Sequence, residues 1–296
     1  MSYNVYTGLL KMFVLPSSMD AKVQLAYDND HPMFEELRNI YPIEAIAGNG
    51  DDFSKAVNLL SWVSSHVYHK GDYMGKTPQN SIALLEDAFD TGAENGVNCV
   101  CLAKILSECL LAIGLMARQV FIMPCSPYDG DNHVVTHVYI KSMEKWVMLD
   151  PTLNAFITNE KGVCLSLLEL RDHLANQEPV FFNKEAKYND DVWTDDSARE
   201  NIEYFAKNLF YLKTNEVSTF GNLENANNRC ITFAPQRFDV KEREIRNIKY
   251  RIKTCGDSAF YQEWLEGMRK EEWNYCSCAE FEASPIRAEI IPERSE

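Results

Sequence analysis

An α+β fold is the prediction for this chain, and three observations carry it. An apolar helix opens at Cys99 and closes at Gly114. Three strand-like runs follow directly. Helical patterns then return downstream.

Residues 1–50 have mixed polarity, with Pro16, Pro32 and Pro42 and no long periodic run, and are expected to form an irregular lead-in packed on the core. Asp51 and Asp52 can cap a helix in which Ala56, Leu59, Leu60, Val63 and Val67 recur at helical spacing. Gly71, Gly75 and Pro78 break it, and a second short helix fits Ser81–Phe89. The loop Asp90–Val97, with Gly92 and Gly96, leads into Asn98, a favourable N-cap. Cys99 then opens a helix to about Ile113, and Gly114 ends it.

The runs Ala117–Met123, His133–Ile140 and Lys145–Leu149 read as strands, and Asp150-Pro151 closes the last. Beyond residue 160 the pattern is helical over Leu165–Leu174, Ala198–Leu209, Lys241–Lys253 and Phe260–Lys270, with an acidic loop at Asn189–Ser197 and a polar end. The expected organisation is a lead-in over 1–50, a core over 51–160 and a mostly helical region over 161–296.

The length of 296 residues allows one large or two modest domains with a real core. The net charge of −15 repels phosphate backbones and anionic lipid, which argues against nucleic acid or membrane as a main partner. No apolar run has bilayer-spanning length, and Leu9–Pro16 is too short and lacks the basic flank of a signal peptide. Nine scattered cysteines, an odd number, then read as reduced thiols of a cytoplasmic protein.

A cysteine nucleophile needs a stabilised thiolate, an imidazole to carry the proton and a group to orient that imidazole. Cys99 lies in the first turn of a helix, where the dipole favours thiolate. Leu102, Ala103, Leu106, Leu110 and Ile113 form the apolar face of that helix, so Cys99 is expected to turn toward the strands. Cys101 lies on a different face, with Lys104 and Glu108, and reads as a small buried hydrophobe. His133 and His137 share one face of their strand, and on geometry either can meet the sulfur. Asp150, at the end of the neighbouring strand, can orient the imidazole; its plain alternative is a turn aspartate before proline. The Cys99 N–H is a candidate oxyanion donor. Asn98 and Trp62 are weaker candidates, better read as a cap and a core residue.

These motifs resemble the transglutaminase-like superfamily, whose core has a papain-like α+β fold. The matching residues are Cys99-Val-Cys-Leu-Ala103 and Gly114-Leu-Met-Ala117-Arg118 on the helix side, then His133 through Tyr139, Trp146-Val147 and Asp150-Pro151-Thr152. The resemblance covers about Asp51–Thr152. It implies a nucleophile helix packed on an antiparallel sheet, with a Cys99–His133–Asp150 triad and His133 rather than His137 as the base. The implied chemistry is amide or peptide acyl hydrolysis or transfer through a thioester, without a cofactor. Asn98 directly before the cysteine, Val134 and Val135 after the histidine, and Met116 in place of a frequent proline depart from the family pattern and bear on the pocket.

The competing expectation is a silent interaction module with a relic triad. A metal site using Cys99-x-Cys101, Cys276-x-Cys278, His66 and His69 is off-pattern for zinc. The remaining features have structural readings: His66 and His69 at a helix end, Lys241–Lys253 as a solvated charged face, Trp264 and Trp273 as packing residues.

Overall fold

The computed structural model describes residues 5–19, 23–73, 75, 77–91, 96–221, 228–255, 258–270 and 273–288. The amino-terminal part is more ordered than its composition implies. It forms α1 (Val5–Met12), the short β1 (Ala26–Tyr27), α2 (Pro32–Ile40) and α3 (Ile43–Ala47). Helices of eight, nine and five residues are too short to display a helical period in sequence. α2 starts on its proline, whose missing N–H needs no acceptor there, and His31 Nδ1 accepts the Met33 N–H at 3.2 Å.

α4 (Asp52–His66) begins where Asp51 accepts the Ser54 N–H, and it buries Ala56, Leu59, Leu60 and Val63 as expected. α5 (Ser81–Thr91) follows; Gly92 in the next loop lies outside the described residues. α6 (Cys99–Ala112) is capped by Asn98, whose side chain accepts the Cys101 N–H. It ends at Gly114, whose φ of 85° is a left-handed conformation that glycine adopts without strain.

β2 (Ala117–Met123), β3 (His133–Ile140) and β4 (Lys145–Asp150) pair antiparallel, with Thr136 opposite both Gln119 and Leu149. The remainder contributes β5 (Ala155–Asn159), α7 (Leu167–Ala175), β6 (Val180–Phe182), α8 (Asp195–Asn208), β7 (Tyr211–Asn215), β8 (Val217–Ser218), β9 (Cys230–Phe233), α9 (Val240–Thr254), α10 (Ser258–Lys270), β10 (Asn274–Tyr275), α11 (Cys278–Phe281) and β11 (Ile286–Arg287).

One eight-stranded sheet runs β10-β9-β7-β2-β3-β4-β5-β6, parallel only between β10 and β9, and a small parallel sheet joins β11, β1 and β8. The fold is α+β, with the nucleophile helix on an antiparallel sheet and further helices C-terminal to it. The sequence pattern assigns no strand beyond Leu149. β5 through β11 are two to five residues long, too short for alternation to separate them from loop.

The core has two parts. One joins α6 to α2–α5 and to Val138 and Leu149 of the sheet; the other joins Val120, Val135 and Met148 to Leu10 of α1, Leu170 of α7 and Phe205 of α8. α6 is enclosed on every side: each residue from Cys101 to Ala112 is buried, including Lys104 and Glu108. Those two form an ion pair at 3.6 Å, and Glu108 also accepts the backbone N–H groups of Ser81 and Gly221, so its charge is matched by several donors. Among the described residues no helix is long and apolar enough to cross a membrane.

Candidate active site

Cys99 is the first residue of α6, where backbone N–H groups have no intrahelical acceptor and the dipole is positive. Val97, just before it, is tied to the chain after α4: its N–H donates to Tyr68 O and its carbonyl accepts from Lys70, both at 2.8 Å. Gly96 permits this approach, because a Cβ there would fall 2.3 Å from the Tyr68 carbonyl oxygen.

His133 is the first residue of β3 and Asp150 the last of β4. Antiparallel pairing brings a strand start beside a strand end, so residues 17 apart meet: His133 Nε2 lies 2.7 Å from Asp150 Oδ2. Asp150 is wholly buried, and its other oxygen accepts the Thr152 N–H at 2.9 Å. Ser64 Oγ of α4 donates to the Pro151 carbonyl at 2.8 Å, which fixes the turn carrying that carboxylate. With Nε2 committed to Asp150, Nδ1 is the His133 nitrogen left for Cys99, whose thiol is lowered by the His133 imidazole.

The half-buried thiol is raised by burial, but hydrogen bonds to His133 and His69 and the charges of both imidazoles outweigh this and bring it down to about 6. Burial disfavours the His133 cation, yet Asp150 and then the sulfur overcome that and raise it to about 10. Both shifts favour the thiolate–imidazolium form of the pair. Cys101 behaves oppositely. It is buried, donates to Gln79 Oε1 at 3.5 Å, and burial pushes its thiol up to about 11.

The structure separates the two strand histidines. His137 is fully buried between the rings of Trp146 and Phe281, and Arg118 Nη2 donates to its Nδ1 at 3.0 Å. Burial and that guanidinium hold it well below the ordinary imidazole range, hence neutral. Arg118 also donates to the Tyr27 hydroxyl and the Phe281 carbonyl and lies 4.2 Å from the centroids of Trp146 and Phe281, so this cluster anchors α11 to the sheet.

The weaker oxyanion candidates are engaged elsewhere. Asn98 caps Cys101 and donates to Tyr73 O, and Trp62 packs on Tyr41, His66 and Phe89. Two site residues escaped sequence reading. Tyr204 of α8 places its ring 5.5 Å from that of His133 and donates to Asp131 and to Asn132 O, both at 3.2 Å. His69, which read as a helix-end cation or an off-pattern metal ligand, lowers the Cys99 thiol. Neither sits in a motif, since both reach the site through chain segments distant from Cys99. Among the described residues no group of three or more His, Cys, Asp or Glu side chains is arranged to hold a metal ion.

Residues 42–151 match the model of the transglutaminase-like superfamily. No protein among the curated sequences matches the chain. Among solved structures, similarity is found to a candidate cysteine protease from Cytophaga hutchinsonii, at 17% identity and a TM-score of 0.31, covering 54% of this chain and 53% of that one. A candidate protease from Parabacteroides distasonis is similar at 10% identity and a TM-score of 0.29, covering 47% of this chain and 28% of that one. This chain thus spans about half the length of the first and less of the second. The stretch from residue 42 to residue 151, which holds Cys99, His133 and Asp150, is thus similar to the transglutaminase-like superfamily.

Proposed function

We propose that this protein is a cysteine amidase or peptidase that cleaves an amide through a thioester on Cys99. The observation that supports it above all is His133 Nε2 lying 2.7 Å from the fully buried Asp150 carboxylate while the same imidazole lowers the Cys99 thiol.

Cys99 thiolate attacks the amide carbonyl carbon, and the electron pair moves onto oxygen. The Cys99 N–H at the helix start donates to that oxygen. Collapse breaks the C–N bond, and the leaving amine takes the proton from His133 Nδ1. His133 then accepts a proton from water as the water oxygen attacks the thioester. The C–S bond breaks and thiolate returns. Asp150 holds the imidazole in the tautomer that keeps Nδ1 on the sulfur and stabilises the imidazolium. The substrate class is a peptide or small amide, and hydrolysis is favoured over transfer by resemblance to enzymes with this core.

Alkylation tests the reading. Limiting iodoacetamide near neutral pH is expected to add one label, mapped to Cys99 by intact mass and peptide analysis, and His133→Ala is expected to abolish the selectivity. Equal labelling of the other accessible thiols, such as exposed Cys255, would refute an activated nucleophile.

A further inference from the structure

The triad uses one of the two imidazoles that lower the Cys99 thiol. The other belongs to His69, and its placement is built by three independent contacts. The segment 68–70 runs beside Val97 as a parallel bridge, so His69 and Cys99 are held by adjoining backbone. Asn189 grips the His69 backbone on both sides, its Oδ1 accepting the N–H at 2.8 Å and its Nδ2 donating to the carbonyl at 3.2 Å. Asn189 itself has a left-handed φ of 49°, a conformation asparagine tolerates better than most residues. Tyr188 Oη lies 3.0 Å from His69 Nδ1, with the two rings edge-on at 5.5 Å. Tyr68 is hydrogen-bonded to Asp190, which fastens the same two segments again.

We propose that His69, held by Tyr188 and Asn189 from outside the superfamily segment, is a second imidazole of the catalytic site that donates a hydrogen bond to the Cys99 sulfur. This rests on the reading of Cys99 as the nucleophile. With the Tyr188 hydroxyl on Nδ1, Nε2 is the nitrogen left for the sulfur.

The role differs from that of His133. His133 gives its proton away during acylation and regains it from water. His69 keeps its proton throughout and makes the sulfur a weaker base. A less basic thiolate persists at lower pH and is a better leaving group when water opens the thioester. The ionisable groups facing the sulfur are His133, His69, Tyr204 and Cys101, with Asp150 acting through His133. Of these, His133 and His69 are the groups that lower the thiol.

The test is the rate of Cys99 alkylation by iodoacetamide as a function of pH in the full-length protein. Wild type, His69→Phe, His69→Gln and Tyr188→Phe are compared, with thermal unfolding as the fold control. The wild-type midpoint is expected near 6. His69→Phe keeps a ring but no N–H, and is expected to raise the midpoint by about one pH unit, a tenfold loss of thiolate on the acid side. His69→Gln restores a donor and is expected to recover most of that shift; a merely structural His69 would show no such ordering. Tyr188→Phe is expected to move the midpoint the same way by a smaller amount.

A His69→Phe curve that overlays a low wild-type midpoint overturns the inference and leaves the triad standing. A wild-type midpoint at the ordinary thiol value overturns both readings. Should His69→Phe fail to fold, the Tyr188→Phe curve decides: a shift supports the second imidazole and superposition rejects it.

Discussion

The stretch 42–151 and the part of the chain beyond residue 160 contribute to the site in different ways. The first supplies every group proposed to exchange a proton or form a bond: Cys99, His133 and Asp150. The second supplies what surrounds them. Tyr204 covers His133, and Tyr188 and Asn189 hold His69. α9 grips the loop that delivers β3: Arg243 donates to the carbonyls of Ser126 and Asp129, Asn247 to those of Pro127 and Asp129, and Arg251 to that of Gly130. That loop needs outside donors because its carbonyls have no strand partner. The stretch 42–151 thus holds the groups proposed for the chemistry, while a later part of the same chain contacts its histidines. The second region is no separate layer, since β7 adds directly to β2 in the central sheet.

The sharpest way to break this division is to remove a core group and a positioning group in parallel. His133→Ala is expected to lower kcat by about 10²–10⁴, measured on a cleaved amide substrate once one is found, because it deletes the acid and base of both half-reactions. Arg243→Ala should act on stability instead. It removes a buried cation 3.4 Å from buried Glu244 and frees two loop carbonyls, at a cost of about 3 kcal/mol read from urea unfolding. Tyr211 and Lys213 remain with Glu244 and limit the loss. An Arg243 variant of unchanged stability but as inactive as His133→Ala would collapse the distinction.

The pH profile sharpens the comparison with a smaller effect. Activity requires thiolate and imidazolium together. It should fall as pH drops through about 6, where Cys99 takes a proton, and again as pH rises through about 10, where His133 loses one. One unit outside either limb, the rate is expected to be about a tenth of the plateau, which a kcat/KM profile reads directly. A single acid limb near the carboxylate range would place the essential ionisation elsewhere. The smallest effect is expected of Tyr204→Phe, which keeps the ring on His133 and loses the hydrogen bonds to Asp131 and Asn132. About 1 kcal/mol of stability and less than tenfold in kcat are expected, from thermal unfolding and steady-state rates.

Much of this was legible before any coordinates. The α6 boundaries follow from local chemistry, an asparagine that can cap and a glycine that can turn left-handed. The strands 117–123, 133–140 and 145–150 follow from β-branched and aromatic runs between turn residues. What escaped were the short helices before residue 50, the short strands after residue 150 and the burial of Lys104 and Glu108. Elements of two to nine residues hold less than a readable period, and two charged side chains carry no local sign of burial until α5 and the 221 backbone cover them.

Sequence by itself determined the nucleophile helix, the order of the central strands and the residue types of the candidate site, because caps, turns and alternation act between near neighbours. Which histidine reaches the sulfur was decided by tertiary structure. His133 and His137 share a strand face, and only packing separates them: one meets a buried carboxylate at the strand end, the other a buried guanidinium between two rings. The place of His69 was decided there too. Its neighbours lie about 30 and about 120 positions further along the chain, and a pairing across such distances leaves no local pattern to read.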